Sequence, residues 1–462
     1  MSMATAGVSS GLAGIVGSAN VISDPAQLVG YRIGDIAPQL AVRPGSNQEV
    51  AQIARLAVSE GLTLAPVGAR TKLGMNIPLQ QYDVALDLTR LDRIVAYDPD
   101  DLTLSVEPGI PLRKLAEVLA ARRQCLPLAV PFRSRATVGG TIASGVDSPL
   151  RQFYGTARDY ILGMEFVTGE GQIVKSGGRV VKNVSGYDLH KLLIGSLGSL
   201  GVMTKINFRT FPAPLSMQAF IAHFDSAQEA AGMRQRVAQS PLRPLTMEIL
   251  SPRAAELLSS GVPAEIESGQ LPSHTFPKPG WAVVVSHAGN EKVLERYERD
   301  LRQMAGAADA IVLHESAALA VVGRVREFIP VALETSPGTV IVKMSVRPGG
   351  MSELLGDAAA TAEKAGLSWA AIARGVGVIY FALLPAGRND DARSRVDNVI
   401  KDLADTCGRR DGNIVVLWLP DEWKSLVPPR TAQRSDLDLM RKLKNVFDPN
   451  GIFAPDPLAS IA

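Results

Sequence analysis

The chain has 462 residues, 46% hydrophobic and 20% charged, which allows about two to four domains and excludes disordered, collagenous and membrane-spanning classes. Lys and Arg total 48 against 46 Asp and Glu, a net charge of +2 with no long run of one sign, so nucleic acid is not an expected partner. Two cysteines, Cys125 and Cys407, are too few and too far apart for a disulfide framework, a zinc cluster or a cysteine-ligated iron-sulfur centre, and they fit a reduced, cytoplasmic setting.

Residues 1–24 read as a flexible tail. Met1 to Ser23 carry no charge, so the basic start of a secretory signal is missing, and glycines at 7, 11, 14 and 17 interrupt a helix. No later apolar run approaches the roughly 20 residues a bilayer requires, and any contact with the inner membrane is expected through partners. Asn47 is placed to cap a helix carrying Val50, Ile53, Ala54 and Ala57, closed by Gly61. A strand over Leu62 to Val67 runs into the glycine loop Gly68 to Gly74. Strand-like Val84 to Leu88 follows, then alternating Leu102, Leu104 and Val106. A helix over Leu112 to Arg122 leads to a second glycine region, Thr137 to Gly145. A hairpin of Ile161 to Thr168 with Ile173 to Lys175 and a strand over Val202 to Phe211 complete this part.

Pro212-Ala213-Pro214 marks a junction. Beyond it, strands over Met217 to Phe224, Trp281 to Ser286, Val340 to Val346 and Val376 to Leu383 alternate with helices near 226–238, 291–305, 351–365 and 391–405. That pattern predicts an α+β sheet layered with helices. Stretches 262–280 and 420–430 read as loops. Ser435 is placed to cap a last helix with Leu437, Met440, Leu443 and Phe447, ended by Asp448-Pro449-Asn450-Gly451.

A diphosphate is best held by backbone N–H groups that a Cβ would keep at a distance, and Gly68 to Gly74, directly after a strand, has the composition of such a nest. Arg70 or Lys72 would add positive charge. A glycine loop between strands is also an ordinary turn. The second region strengthens the ligand reading, because Gly139-Gly140, Ala143-Ser144-Gly145 and Tyr154-Gly155-Thr156 concentrate missing side-chain volume near charged Arg158 and Asp159. Tightly crossing strands are the alternative; a long, flat, phosphorylated dinucleotide accounts for both regions together.

Taken in order, Tyr31, Asp35, Val42 to Val50, Pro66 to Gly74, Asp87 to Gly109, Thr137 to Ser144, Tyr154 to Gly163 and Gly178 to Val202 resemble the vanillyl-alcohol-oxidase-type FAD-binding superfamily. Within it, Gly178 to Asp188 and Met440 to Phe453 are most similar to the FAD-binding subunits of bacterial glycolate oxidases. The resemblance covers 31–214 and the last thirty or so residues well, and the middle loosely. It implies an α+β fold: a two-subdomain FAD-binding domain over 25–214, an antiparallel-sheet α+β cap or substrate domain over 215–430, and a C-terminal helix, 431–462, that returns to the FAD domain. By family position, Pro66, Gly68, Ala69, Arg70, Thr71 and Lys72 would wrap the diphosphate. Thr137, Gly139, Gly140, Thr141, Ala143 and Ser144, with Tyr154, Gly155 and Thr156, would line the ribityl and flavin region. Gly198, Gly201 and Val202 would close around the cofactor, and Lys182, Asn183, Gly186 and Tyr187 would form a turn beside the ring; Tyr187 and Leu189 are alternatively core residues.

Ala69 and Arg70 stand where the family usually has glycine, so a positive φ there would be penalised and FAD binding weakened. Covalent attachment in the superfamily commonly uses a His near this loop, and residues 66–76 contain none, so non-covalent FAD is expected. The usual Asn-Pro-Gly near the end reads Ala454-Pro455-Asp456. The resemblance further implies oxidation of a small 2-hydroxy acid, such as glycolate or D-lactate, in a complex with a sister flavoprotein and an iron-sulfur subunit.

Such chemistry needs a cation for the carboxylate and a base for the hydroxyl proton. Lys343 and Arg347 alternate onto one face of a strand, and Arg374 lies on another; these are the candidate catalytic residues, with a solvated strand face as the alternative. Histidines 190, 223, 274, 287 and 314 show no ligand spacing, and the glycine-rich strand Ala371 to Gly377 has no His, so no metal is expected. The lack of an evident base keeps open a second role, a non-catalytic FAD-bearing electron-transfer or structural subunit supporting a catalytic sister flavoprotein.

Overall fold

The computed structural model describes residues 3–75, 79, 81–179, 186–260, 271–272, 275–276, 280–426 and 436–454. The expected cap Ser435 and the expected site residues Lys182 and Asn183 lie outside them.

Two main sheets form the N-terminal half, beside a short antiparallel pair of Gln124–Cys125 with Phe211–Pro212. Strands β1 (Val21–Ile22), β2 (Leu40–Val42), β3 (Leu64–Val67) and β4 (Val84–Asp87) lie in the order β1-β2-β4-β3, with β2, β4 and β3 parallel. The helix Asn47–Glu60 makes the crossover between β2 and β3. Ser46, not Asn47, caps it: the Ser46 hydroxyl accepts the Glu49 N–H at 3.1 Å while the Glu49 carboxylate accepts the Gly45 N–H at 2.8 Å. Gly61 closes it at φ 64, as expected. The second sheet is antiparallel: β5 (Ile94–Asp98), β6 (Thr103–Val106), β7 (Ile161–Val167), β8 (Ile173–Gly177) and β9 (Val202–Arg209), ordered β5-β6-β9-β7-β8.

The expected flexible tail is instead a helix, Met3–Val16. Val8, Leu12 and Val16 recur at one-turn spacing and are buried with the helix Asn47–Glu60 in one core. Gly11 permits this packing, since a Cβ there would lie 3.2 Å from a Leu56 methyl. Uncharged composition marked a buried face here, not disorder.

The C-terminal half is one antiparallel sheet of eight strands: β10 (Met217–Phe224), β11 (Thr246–Leu250), β12 (Trp281–Ala288), β13 (Ala310–His314), β14 (Val340–Ser345), β15 (Ser368–Arg374), β16 (Val378–Leu384) and β17 (Asn413–Trp418). Their order is β13-β10-β12-β11-β15-β16-β14-β17. Side chains alternate between two cores. Val342 and Met344 face the helices Ala227–Gln239, Met351–Lys364 and Asp390–Gly408, whereas Ile341 joins the opposite core with Ile372 and Tyr380. That second core also takes in Phe132, Val146, Leu150, Tyr154 and Leu197 from the N-terminal half. The polar residues on this face are therefore presented to the N-terminal glycine segments.

The chain finally returns to the first sheets. Phe447 of the helix Asp436–Phe447 lies against Phe166 at 5.9 Å, and Ile452 and Ala454 exchange backbone hydrogen bonds with Leu64 at 2.6 and 2.8 Å.

Candidate functional site

The glycine segments converge in space. A Cβ on Gly68 would collide with the Thr137 hydroxyl; one on Gly198 would lie 3.1 Å from the Pro66 ring, and one on Gly145 would lie 3.0 Å from Gly195 Cα. Directly after β3, the backbone N–H groups of Ala69, Arg70, Thr71 and Lys72 donate to no acceptor among the described residues. Consecutive free amides are the donor set that an anion such as a diphosphate takes up. Arg70 has the positive φ, 61°, that glycine would adopt without cost. Its guanidinium lies over the Tyr31 ring at 4.7 Å, which offsets part of that strain. Tyr31 in turn donates to Asp87 at 2.6 Å. Half-buried Lys72 lies 6.0 Å from the Phe132 ring centre, and burial draws its ammonium down to about 8 against the pull of Glu327.

Thr137 begins the short helix Val138–Ser144, its hydroxyl accepting the Gly140 N–H at 3.4 Å. The N–H groups of Val138 and Gly139 donate to the carbonyls of Ile110 and Pro108, so these two amides are already paired. Gly139 is needed because its Cβ would come 2.6 Å from Pro108. Thr141, one turn in, has a buried hydroxyl without a partner, and Ser144 donates back to the Thr141 carbonyl at 3.0 Å. Ala143 packs with the core of the antiparallel sheet. Gly155 and Thr156 line a cavity of about 90 Å³ together with Thr141, Gly145, Asp147, Arg151 and Lys343. Tyr154 packs edge-on against Phe211 at 4.9 Å. Gly201 fits tightly under the Val167 carbonyl, and Val202 is buried in the core. Gly186 has φ 82°, and the Tyr187 side chain is 89% exposed, so Tyr187 is not the core residue of the alternative expectation.

Of the three expected catalytic residues, Lys343 alone lines the cavity. Burial lowers its ammonium pKa, with Asp147 opposing and Arg151 and Arg374 adding to the fall. Arg347 does not share this site. β14 ends at Ser345, and beyond that bend Arg347 is exposed and pairs with Asp411 at 3.7 Å. Arg374 is buried beside Glu248, its cross-strand partner, with Nη1 3.8 Å from the carboxylate. Its guanidinium lies over the Tyr380 ring at 5.0 Å, and the Tyr380 hydroxyl accepts the Asp147 N–H at 3.3 Å. Asp147 is held by Arg151 at 3.0 Å. A charged network thus runs from the cavity wall into the eight-stranded sheet.

Glu248, Tyr380, Asp147, Arg151 and Glu327 were not singled out from the sequence. Glu248 carried a local signal, a single carboxylate inside the apolar run Leu245 to Leu250. Glu327, at the bend between the helices Glu315–Arg326 and Phe328–Thr335, accepts the N–H groups of Phe132 at 2.7 Å and Arg133 at 3.3 Å and pairs with Arg326 at 2.8 Å. Among the described residues no group of three or more His, Cys, Asp or Glu is placed to hold a metal, and no helix is long and apolar enough to cross a membrane.

Residues 38–177 match the family model described as FAD binding domain, and residues 213–416 with 424–458 match that of FAD linked oxidases, C-terminal domain. The glycolate oxidase subunit GlcD of Bacillus subtilis is 22% identical over 427 residues, 90% of this chain and 88% of that protein. The D-2-hydroxyglutarate dehydrogenase of Xanthomonas citri is 29% identical over 440 residues, 91% of this chain and 89% of that one. The glycolate oxidase subunit GlcE of Escherichia coli is 36% identical over 193 residues, 41% of this chain and 53% of its own length. In fold, the chain resembles substrate-bound p-cresol methylhydroxylase with a TM-score of 0.79 at 18% identity, covering 100% of this chain and 97% of that one.

Proposed function

This chain belongs to the FAD-linked oxidase family, and from that premise we propose that it oxidises a small 2-hydroxy acid, such as glycolate or D-lactate, as one subunit of a larger complex. Its cofactor is FAD, which supplies the hydride acceptor. The free amides of Ala69 to Lys72 and the unpartnered Thr141 hydroxyl fit that cofactor: the amides would hold its diphosphate, and Thr141 would offer a hydrogen bond to its flavin part. Attachment is non-covalent in this reading.

The observation that carries the substrate class is the meeting of Arg151 and Lys343, from opposite halves of the chain, on one small cavity. A substrate of two or three carbons suits that volume, and Lys343 with the Asp147–Arg151 pair gives it a polar wall. Leu128 and Val130 on the same wall limit entry of water. A sister flavoprotein and an iron-sulfur subunit complete the proposed complex, with cytoplasmic placement and membrane contact through those partners.

The purified chain is expected to show a flavin spectrum that bleaches when glycolate or D-lactate is added without air. Lys343→Met is expected to leave that spectrum intact and raise the substrate concentration for half-maximal bleaching about tenfold to a hundredfold. A spectrum that stays oxidised alone but bleaches when partner subunits co-purify assigns the chain the electron-transfer role. No bleaching under either condition overturns the reading.

A further inference from the structure

The base for the hydroxyl proton, unassigned above, has a candidate in the sheet. Both Glu248 carboxylate oxygens are buried without a hydrogen-bond partner, and so are Nε and Nη1 of Arg374 and the amide oxygen of Gln152. Glu248 and Arg374 are 1% and 2% exposed. Donors and acceptors this deep are ordinarily satisfied, so a cluster left open on both sides marks a place for something else. The Arg374–Glu248 distance of 3.8 Å is too long for a hydrogen bond, yet the two groups sit side by side on neighbouring strands. In a 2-hydroxy acid, a carboxylate oxygen and the hydroxyl oxygen flank a single C–C bond, so one molecule can meet both groups at once.

We infer that Glu248 accepts the substrate's hydroxyl proton while Arg374 beside it holds the carboxylate. This rests on the 2-hydroxy-acid reading and adds a catalytic residue to it. As the Cα–H electron pair leaves as hydride to the flavin, the C–O bond becomes C=O and the hydroxyl proton passes to a Glu248 oxygen. The products are the 2-oxo acid, reduced flavin and a neutral Glu248, which returns its proton to water before the next turnover. Burial pushes the carboxyl up to about 7, with Arg374 opposing and Asp147 adding to the rise. The groups that act on it are Arg374, its cross-strand partner on β15, Tyr380 on β16, and Asp147 from the N-terminal half. Arg234, from the helix on the other face, is tied to the Gly375 carbonyl at 3.2 Å.

The test follows anaerobic flavin reduction by glycolate or D-lactate between pH 5 and 9 in the FAD-loaded full chain, with Glu248→Gln and Glu248→Asp beside it. Oxalate binding, read from its perturbation of the flavin spectrum, is measured in parallel. The expected result is a wild-type rate that rises through an ionisation near pH 7. Glu248→Gln should slow reduction about a hundredfold to a thousandfold and abolish that ionisation, with oxalate affinity within about threefold. Glu248→Asp should restore part of the rate. A Glu248→Gln protein that reduces at the wild-type rate with the same pH limb overturns the assignment and leaves the 2-hydroxy-acid reading standing. Should Glu248→Gln lose its flavin, a flat wild-type profile from pH 5 to 9 overturns the assignment, and a limb near pH 7 with slowed but retained reduction in Glu248→Asp upholds it. Wild-type flavin that binds oxalate yet is reduced by no 2-hydroxy acid sinks both.

Discussion

In the proposed FAD site, Lys72 joins burial and charge in one side chain. Its folded ammonium is drawn down to about 8 by burial, below the roughly 10.4 of an unfolded lysine. Between those values the folded state binds fewer protons than the unfolded state, so the apoprotein gains stability as pH rises from about 8 towards 10. A diphosphate on the neighbouring amides favours the charged ammonium instead. FAD binding at about pH 9 is therefore expected to take up a proton, measurable by titration calorimetry in buffers of different ionisation enthalpy. Lys72→Met should abolish the uptake and weaken FAD binding about tenfold; a wild-type protein that takes up no proton removes Lys72 from the diphosphate. The glycine loop that holds Lys72 was legible because the lack of side chains is itself local information. The Glu248–Arg374 pair was not, since its meaning comes from strand register, which sets residues distant in sequence side by side. Arg347 failed for a related reason: alternation holds only while the strand continues, and β14 stops at Ser345.

Between elements, the decisive contact is the helix bend at Glu327. One carboxylate satisfies two amides of the 131–135 segment and the Arg326 guanidinium, and it does so where Phe132 has a positive φ of 61°. Glu327→Ala leaves those donors unpaired and should cost about 3–5 kcal/mol, whereas Glu327→Gln retains an acceptor and should cost about 1–2 kcal/mol. Urea denaturation resolves the two, and equal losses would reduce Glu327 to a space-filler. The N-terminal helix makes a parallel case: Leu12→Ala should destabilise by about 2–3 kcal/mol, at the low end for a buried leucine because one side of the helix is open to water. Elements with strong period and clear punctuation, such as the hairpin of β7 and β8 or the helix Glu291–Ala305, were readable to within a few residues. The helix Val138–Ser144 was hidden by its glycines, of which Pro108 requires Gly139, and the N-terminal helix by glycines of which Gly11 lets it approach Leu56.

At the scale of the whole molecule, all four tryptophans, 281, 369, 418 and 423, follow the Pro212-Ala213-Pro214 junction, while the glycine segments assigned to FAD precede it. Tryptophan fluorescence therefore reports on the C-terminal half and its interface, and flavin release on the N-terminal half. Contacts that tie the halves together include Glu327 on the 131–135 segment, Phe132 against Trp418 at 6.3 Å, the bridge between Met75 and Trp418, and the Asp147 N–H donating to the Tyr380 hydroxyl at 3.3 Å. The C-terminal return stitches the first sheets from the other end. There, buried Lys444 donates to the Ser199 and Phe453 carbonyls at 2.8 and 3.0 Å and to Asp448 at 2.6 Å. Lys444→Met leaves the buried Asp448 carboxylate with the Ile452 and Phe453 N–H groups but without its cation, at a cost of about 3 kcal/mol. If the halves unfold as one unit, the urea midpoints for tryptophan fluorescence and flavin release coincide in the wild type and fall together in Lys444→Met. A variant in which flavin release moves to lower urea while the tryptophan transition stays in place would show that the eight-stranded sheet holds its fold independently, and that the interface contacts contribute geometry without cooperativity.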